Sequence, residues 1–235
     1  MTQGIQTAEV QASAADARRV VLFDFDGVIV RHQTLELFYR DCLKGFGRWR
    51  ILLALPVVPF VPFLTPTVAG NRFLGRLFLR VITFGRTEAS YRRRVTAYAR
   101  AYARRPGVFI RDAVASLRRH VDAGDRVVIV TGNDRTMVEA ILHEVNLGGC
   151  ELVASQTRGG LFGVHFVRHN VEAVKVASLK REGIPRPWAI AYADSLSDLP
   201  MLKAADEAKL VNANAKTVKK ASKALGSKLE VLDWF

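Results

Sequence analysis

Cysteine is scarce in this 235-residue chain. There are two, Cys42 and Cys150, with no C-x-x-C and no metal-ligand spacing. That excludes a disulfide framework and a zinc site and suits a reducing compartment. A membrane-spanning run is also missing: the long apolar stretch, Ile51 to Leu64, has fourteen residues, short of the about 20 that a helix needs to cross a bilayer unaided. Residues 1 to 17 have neither a basic n-region nor an apolar h-region, so they do not form a secretory signal and read as a disordered tail. Internal repeats are absent. Acidic residues are nearly missing from one window. Between 31 and 105, Glu36, Asp41 and Glu88 face fifteen basic residues, a local charge of +12 out of +13 for the whole chain. Fourteen of those fifteen are arginine, the side chain suited to bidentate phosphate contact, and the window also holds 12 of the 21 aromatics. A charge run is ordinarily a solvated face, but this concentration favours an anionic surface as partner.

What is present is enough apolar residue, 49% of the chain, for a real core. Short apolar strands at 20–25, 126–130, 151–154, 188–193 and 209–211 alternate with helical periodicity at 108–121, 134–145, 171–182, 198–204 and 215–225. The fold class is therefore α/β, a doubly wound, Rossmann-like parallel sheet. Thr157 to Gly163 is turn-rich and predicts a small hairpin. About 95 residues separate the first two strands, too many for one crossover helix, so 31–105 is an inserted, mainly helical cap on a core of 18–30 and 106–235. Within it, Thr87-Glu88 opens a helix with the stripe Tyr91, Val95, Tyr98 and Tyr102, which reads as packing.

The stretch from Ile51 to Leu64 carries Pro56, Pro59 and Pro62, a spacing that argues against a regular helix. Arg48, Trp49 and Arg50 precede it, and Arg72, Arg76 and Arg80 follow. An apolar wedge with an interfacial Trp and flanking Arg suggests shallow insertion at a membrane surface. A buried cap core or a dimer contact are the alternatives.

Chemistry is best signalled at the end of the first strand. Asp24 and Asp26, one residue apart and followed by Gly27, point the same way from an extended chain, and ligands of open α/β sheets bind beyond such strand ends. Two close carboxylates need a cation or a shared proton between them, and aspartate oxygens suit Mg²⁺. The alternative is that one caps the next helix and the other is a solvated loop residue. Thr131-Gly132 offers a hydroxyl and backbone N–H groups at a strand-to-helix turn, a setting for an anion. Lys175 lies early in a helix, where it could reach a phosphate or equally be an ordinary exposed lysine. Asp194-Ser195-x-x-Asp198 supplies a second acidic pair after another apolar strand.

These motifs, in this order, resemble the four motifs of the haloacid dehalogenase (HAD) superfamily of Mg²⁺-dependent phosphohydrolases. The insertion resembles a type C1 cap, and the spacing resembles subfamily IB, which includes phosphoserine phosphatase. A bacterial lipid-phosphatase family within it is closer still, sharing the proline-interrupted apolar stretch, Thr83-Phe-Gly-Arg-Thr-Glu88-Ala, and Val153-Ala-Ser-Gln156. The resemblance covers roughly residues 18 to 205. The chain departs from it at Val28, where Thr is frequent, at Ala193, where Gly is usual, and before Lys175, where Glu172 and Val174 replace a Gly-x-Glu pattern. The resemblance implies Asp24 as nucleophile and Asp26 as general acid and base. It implies Thr131, Gly132 and Lys175 as phosphate-binding residues, and Mg²⁺ held by Asp24, the Asp26 backbone carbonyl and Asp194, with Asp198 and Ser195 in support. The expected substrate is phosphatidylglycerophosphate or a similar lipid phosphate, hydrolysed at the inner face of the cytoplasmic membrane, with an anionic membrane surface as partner and no nucleic acid. The alternatives are a phosphoserine phosphatase-like hydrolase of small soluble esters and a non-catalytic membrane- or nucleic-acid-binding protein.

Overall fold

The computed structural model describes residues 18–65 and 67–235. The expected tail at 1–17 lies outside them. Seven strands run through the described chain: β1 (Val20–Phe23), β2 (Arg126–Asp134), β3 (Glu151–Gly160), β4 (Gly163–Arg168), β5 (Trp188–Ala193), β6 (Ala205–Val211) and β7 (Leu229–Leu232). They form one sheet in the order β4-β3-β2-β1-β5-β6-β7. Every neighbour pair is parallel except the β3–β4 hairpin. The helices are α1 (Thr34–Cys42), α2 (Val61–Leu64), α3 (Val68–Thr83), α4 (Glu88–Ala103), α5 (Arg111–Asp122), α6 (Arg135–Glu144), α7 (Ala173–Arg181), α8 (Leu199–Ala204) and α9 (Ala215–Leu225).

Strand β1 lies inside the sheet, and all four of its residues are buried. Its side chains alternate between two apolar clusters, Val21 and Phe23 on one face, Val20 and Leu22 on the other, as the two-residue period of a strand requires. Phe23 is in register with Ile129 of β2 and Tyr192 of β5. Whatever follows β1 therefore stands beside the ends of both neighbours.

The expected strands and helices form, with these differences. Strand β2 runs on to Asp134. Strand β6 starts at Ala205, because Ala205 to Leu210 pair with β5 although Asp206 and Glu207 interrupt their apolar character. Helix α5 begins at Arg111, since Val108 to Ile110 are extended: Arg31 N–H donates to the Val108 carbonyl (2.9 Å) and Ile110 N–H to that of Ile29 (3.0 Å). The chain thus enters and leaves the segment between β1 and β2 through one antiparallel contact, Val30 with Phe109. Strand β7, a four-residue edge, was not expected.

The helices between β1 and β2 share the sheet's core. Tyr91, Val95 and Tyr102 of α4 are buried with Phe38, Leu79 and Ile82, and Tyr98 packs against them. Thr87 caps α4 by accepting the Ser90 N–H (3.2 Å). The hairpin fastens this layer from the other side. Thr83 Oγ1 donates to the Leu79 carbonyl (2.6 Å) and accepts from the Val164 N–H (2.8 Å), while Glu88 accepts from the Gly159 N–H (2.9 Å). Gly163, at φ +99°, is required there, for a Cβ would stand 2.7 Å from Thr83 Oγ1 and 2.8 Å from the Arg80 carbonyl oxygen.

The proline-rich stretch is a 3₁₀ run, Gly45–Phe60, with Pro56 and Pro59 inside it and Pro62 in the first turn of α2. Three residues per turn places prolines at spacing three on one side, and their fixed φ suits that helix. Its side chains are not a buried core: Leu52 is 62% exposed and Phe63 78%. No helix among the described residues is long and apolar enough to cross a membrane.

Candidate active site

The residues after β1 fold back at once. Ile29 and Val30 N–H groups both donate to the Phe25 carbonyl (2.9 and 3.1 Å), and Gly27 N–H donates to that of Val30 (2.7 Å). Gly27 takes φ +81°, and a Cβ on it would lie 2.2 Å from Asp194 Oδ2. Glycine there lets the carboxylate that follows β5 press against the backbone that follows β1. Two adjacent strand ends thus bring Asp24, Asp26 and Asp194 together.

A cavity of about 440 Å³ opens over these ends, lined by Asp24, Asp26, Thr131, Gly132, Lys175, Asp194, Ser195 and Asp198. These are all the side chains and the glycine singled out from the motifs. Thr131-Gly132 differs in setting from the expected strand-to-helix turn. The β2–β3 register breaks between Val130 and Asp134, so Thr131 to Asn133 leave the regular ladder. The helix begins later, at Arg135, where Asp134 caps α6 by accepting from Thr136 and Met137 N–H groups (2.9 and 3.3 Å). The anion setting here is an irregular strand end, not a helix N-terminus.

Asp24 Oδ1 accepts from its neighbour's N–H, Phe25 (2.8 Å), and from the Lys175 ammonium (2.9 Å). Lys175 also pairs with Asp198 Oδ1 at 2.7 Å, and the lysine is 3% exposed. It lies deeper than a surface residue in a first turn and joins two motifs instead of standing alone. Burial opposes its charge, yet Asp24 and Asp198 override that and raise its pKa above the ordinary lysine value.

Asp26 is held by residues that the motifs did not reveal. Thr34 gives Oδ1 two bonds, from its N–H (3.0 Å) and hydroxyl (2.8 Å), and Asn133 Nδ2 donates to Oδ2 (2.9 Å). Asn133 also reaches the Thr34 hydroxyl. Asp26 does cap the first turn of α1, as the alternative reading had one aspartate doing, but it lines the cavity as well, and neither Asp24 nor Asp26 is a solvated loop residue. Burial drives the Asp26 pKa from 3.8 up to about 6, against the pull of the Thr34 and Asn133 bonds, with Asp24 adding to the rise. Thr34 was legible only as a hydroxyl residue opening a helix, and Asn133 as an amide two residues past Thr131.

Three carboxylates, Asp24, Asp194 and Asp198, bring one oxygen each to within 4.8 Å of one another. Against them stands one buried ammonium. Burial and then the Asp24 charge push Asp194 up to about 6, and the same two causes put Asp198 well above the carboxylate range. Hard oxygen donors, converging and short of positive charge, fit a divalent cation of the Mg²⁺ type. Asp198, tied to Lys175 and 1% exposed, stands behind Asp24 and Asp194.

With this geometry in hand, a family model described as haloacid dehalogenase-like hydrolase matches residues 21–203. Among solved structures, a protein of unknown function from Bordetella pertussis Tohama I superposes with a TM-score of 0.68 at 19% identity, over 93% of this chain and 99% of that one. A phosphoserine phosphohydrolase-like protein from Francisella tularensis subsp. tularensis SCHU S4 gives 0.59 at 15%, over 90% and 94%. A phosphoserine phosphatase in apo form gives 0.53 at 16%, over 87% and 90%. At these identities the likeness is one of fold. Comparison with curated protein sequences finds no match.

Proposed function

The chain belongs to the haloacid dehalogenase-like hydrolases, and from that premise we propose that it is a Mg²⁺-dependent phosphomonoester hydrolase working through an aspartyl-phosphate on Asp24. The observation that carries this reading is the division of labour between two carboxylates facing one cavity. Asp24 faces a buried ammonium, while Asp26, pushed up to about 6 and held by Thr34 and Asn133, is placed to exchange a proton. Asp24 attacks phosphorus and the bond to the ester oxygen breaks, with Asp26 giving its proton to the departing alkoxide. Asp26 then takes a proton from water as that water displaces phosphate from Asp24. Thr131, Gly132 and Lys175 hold the phosphoryl oxygens. Asp24, the Asp26 backbone carbonyl and Asp194 would hold Mg²⁺, backed by Asp198 and Ser195; when bound, the ion neutralises charge on the transferring group.

For the substrate we infer a lipid phosphate of the phosphatidylglycerophosphate type, from the resemblance to phosphatidylglycerophosphatase C within subfamily IB. The segment 31–105 serves as the cap, at the inner face of the cytoplasmic membrane. Supporting this are the exposed apolar side chains of the proline-rich run, with Trp49 and the stacked Arg50 guanidinium (5.1 Å) at its start and exposed Arg76 and Arg80 on α3. Such a surface has no use for a small soluble ester, the substrate class suggested by the names of the phosphoserine phosphatase-like neighbours. Phosphate release in Mg²⁺ by the wild type and by Asp24→Asn tests the chemistry: a fall of about a thousandfold or more is expected, and unchanged release refutes the mechanism.

A further inference from the structure

Beside the acidic cavity lies an apolar groove of about 550 Å³, and the two share a wall, since Gln33 and Leu35 line both. The groove's other sides come from pieces far apart in sequence, with Val57 and Val58 of the 3₁₀ run facing Leu74 and Phe78 of α3. Among its lining residues Glu36 alone is charged, and that carboxylate is exposed and paired with Arg40 at 2.6 Å. We propose that this groove holds a hydrocarbon chain of the substrate, so that one amphiphilic phosphate monoester spans both cavities. Its phosphate would lie at Asp24, and its chain would run past Gln33 and Leu35 between the 3₁₀ run and α3. The proposal rests on the phosphomonoesterase reading and gives it a specificity-determining subsite.

Three features favour a hydrocarbon chain over a protein partner. A volume of this size is that of a small-molecule site, for which about 300–1,000 Å³ is usual. The groove adjoins the place where phosphate chemistry occurs, with Gln33 and Leu35 lining both, and a single lipid phosphate satisfies both ends, whereas a docked helix would leave the acidic end unaddressed. Val58, part of the lining, is itself 55% exposed, and Leu52 and Leu55, on the same side of a three-residue turn, are exposed too. The proposed chain would enter the groove across this apolar lip.

Gly75 provides the test. It lines the groove on α3, and a Cβ built on it meets nothing within 4 Å. Gly75→Trp therefore fills the groove from an ordinary helical position, and the smaller Gly75→Leu fills it in part; melting temperatures at or above that of the wild type show that both fold. Each protein is assayed in Mg²⁺ with ethyl, butyl, hexyl, octyl and decyl phosphate below their micelle concentrations, and binding of decanol, which has no phosphate, is measured separately. In the wild type kcat/KM rises roughly fourfold per added methylene. Gly75→Trp flattens that slope and abolishes decanol binding, and Gly75→Leu gives an intermediate slope. Hydrolysis of all esters at one kcat/KM, or a slope unchanged in Gly75→Trp, overturns the groove while leaving the phosphatase reading intact. Decanol binding lost in Gly75→Trp, with no ester hydrolysed by the wild type, upholds the groove and overturns the chemistry instead. A Gly75→Trp effect confined to a dimer seen by sedimentation assigns the groove to a second copy and overturns the proposal.

Discussion

The acidic cavity and the apolar groove meet at Gln33 and Leu35, yet they are held by different means. The first takes its walls from strand ends in register: Phe23 is aligned with Ile129 and Tyr192, so Asp24 and Asp194 follow strands that the ladder aligns, and Thr131 stands one residue past the last regular pair of β2 with β3. Asp24, Lys175 and Asp198 are buried and bonded to one another, and Asp26 is buried against Thr34 and Asn133. The second takes its walls from a 3₁₀ run, α1 and α3, which line it almost wholly with apolar side chains. Catalysis needs atoms held in place, which a sheet provides; a hydrocarbon chain needs only apolar surface, which a less regular segment supplies. On the proposed reading, chemistry and substrate choice would reside in separate layers, each open to being broken without the other.

The largest effect is expected in the acidic layer. Lys175→Met removes the ammonium that faces both Asp24 and Asp198, and leaving buried charge unpaired costs about 3–5 kcal/mol. Urea unfolding in the presence of a chelator measures the loss, and adding Asp198→Asn to Lys175→Met should recover a large part of it. Independent, additive losses would show that the two residues do not act as a pair. In the outer layer a smaller effect is expected. Replacing Leu52, Phe60 and Phe63 by Ser should weaken flotation with anionic vesicles by about tenfold or more, and unaltered flotation would place the membrane contact elsewhere. The smallest effect concerns Thr34→Val, which keeps the N–H bond to Asp26 but removes the hydroxyl bond. That bond holds the Asp26 pKa down against burial. Without it the pKa rises by about one pH unit. Asp26 must carry a proton to release the alkoxide, so the alkaline limb of the kcat profile should move upward by that amount. A limb that stays in place or moves down would separate Asp26 from the proton transfer.

The two layers also differed in how much the sequence disclosed. Asp24, Asp26, Thr131, Lys175, Asp194 and Asp198 were recognisable because each stands at a fixed offset from an apolar strand or within a helix, and strand ends converge in a parallel sheet. Thr34 and Asn133 were not, because what they do depends on contact with Asp26 from 8 and 107 residues away. Strand β7 escaped notice because Leu229-Glu-Val-Leu232 is a four-residue edge with two of its residues exposed. The start of β6 was hidden by Asp206 and Glu207, which are exposed where β7 does not yet pair with β6, its first partner there being Ala208. In the outer layer the prolines announced that a regular helix would fail, but not the 3₁₀ run that replaced it. The groove was invisible, since no local pattern brings Val57 against Leu74.

One comparison bears most directly on the division between the layers. On a single preparation in Mg²⁺, phosphate release is measured from phosphatidylglycerophosphate in mixed vesicles and from phosphoserine in solution. The lipid ester should have the higher kcat/KM by about a hundredfold or more, the remote binding of its chains being expressed in the transition state. Equal or faster hydrolysis of phosphoserine would contradict the assignment of substrate choice to the apolar layer.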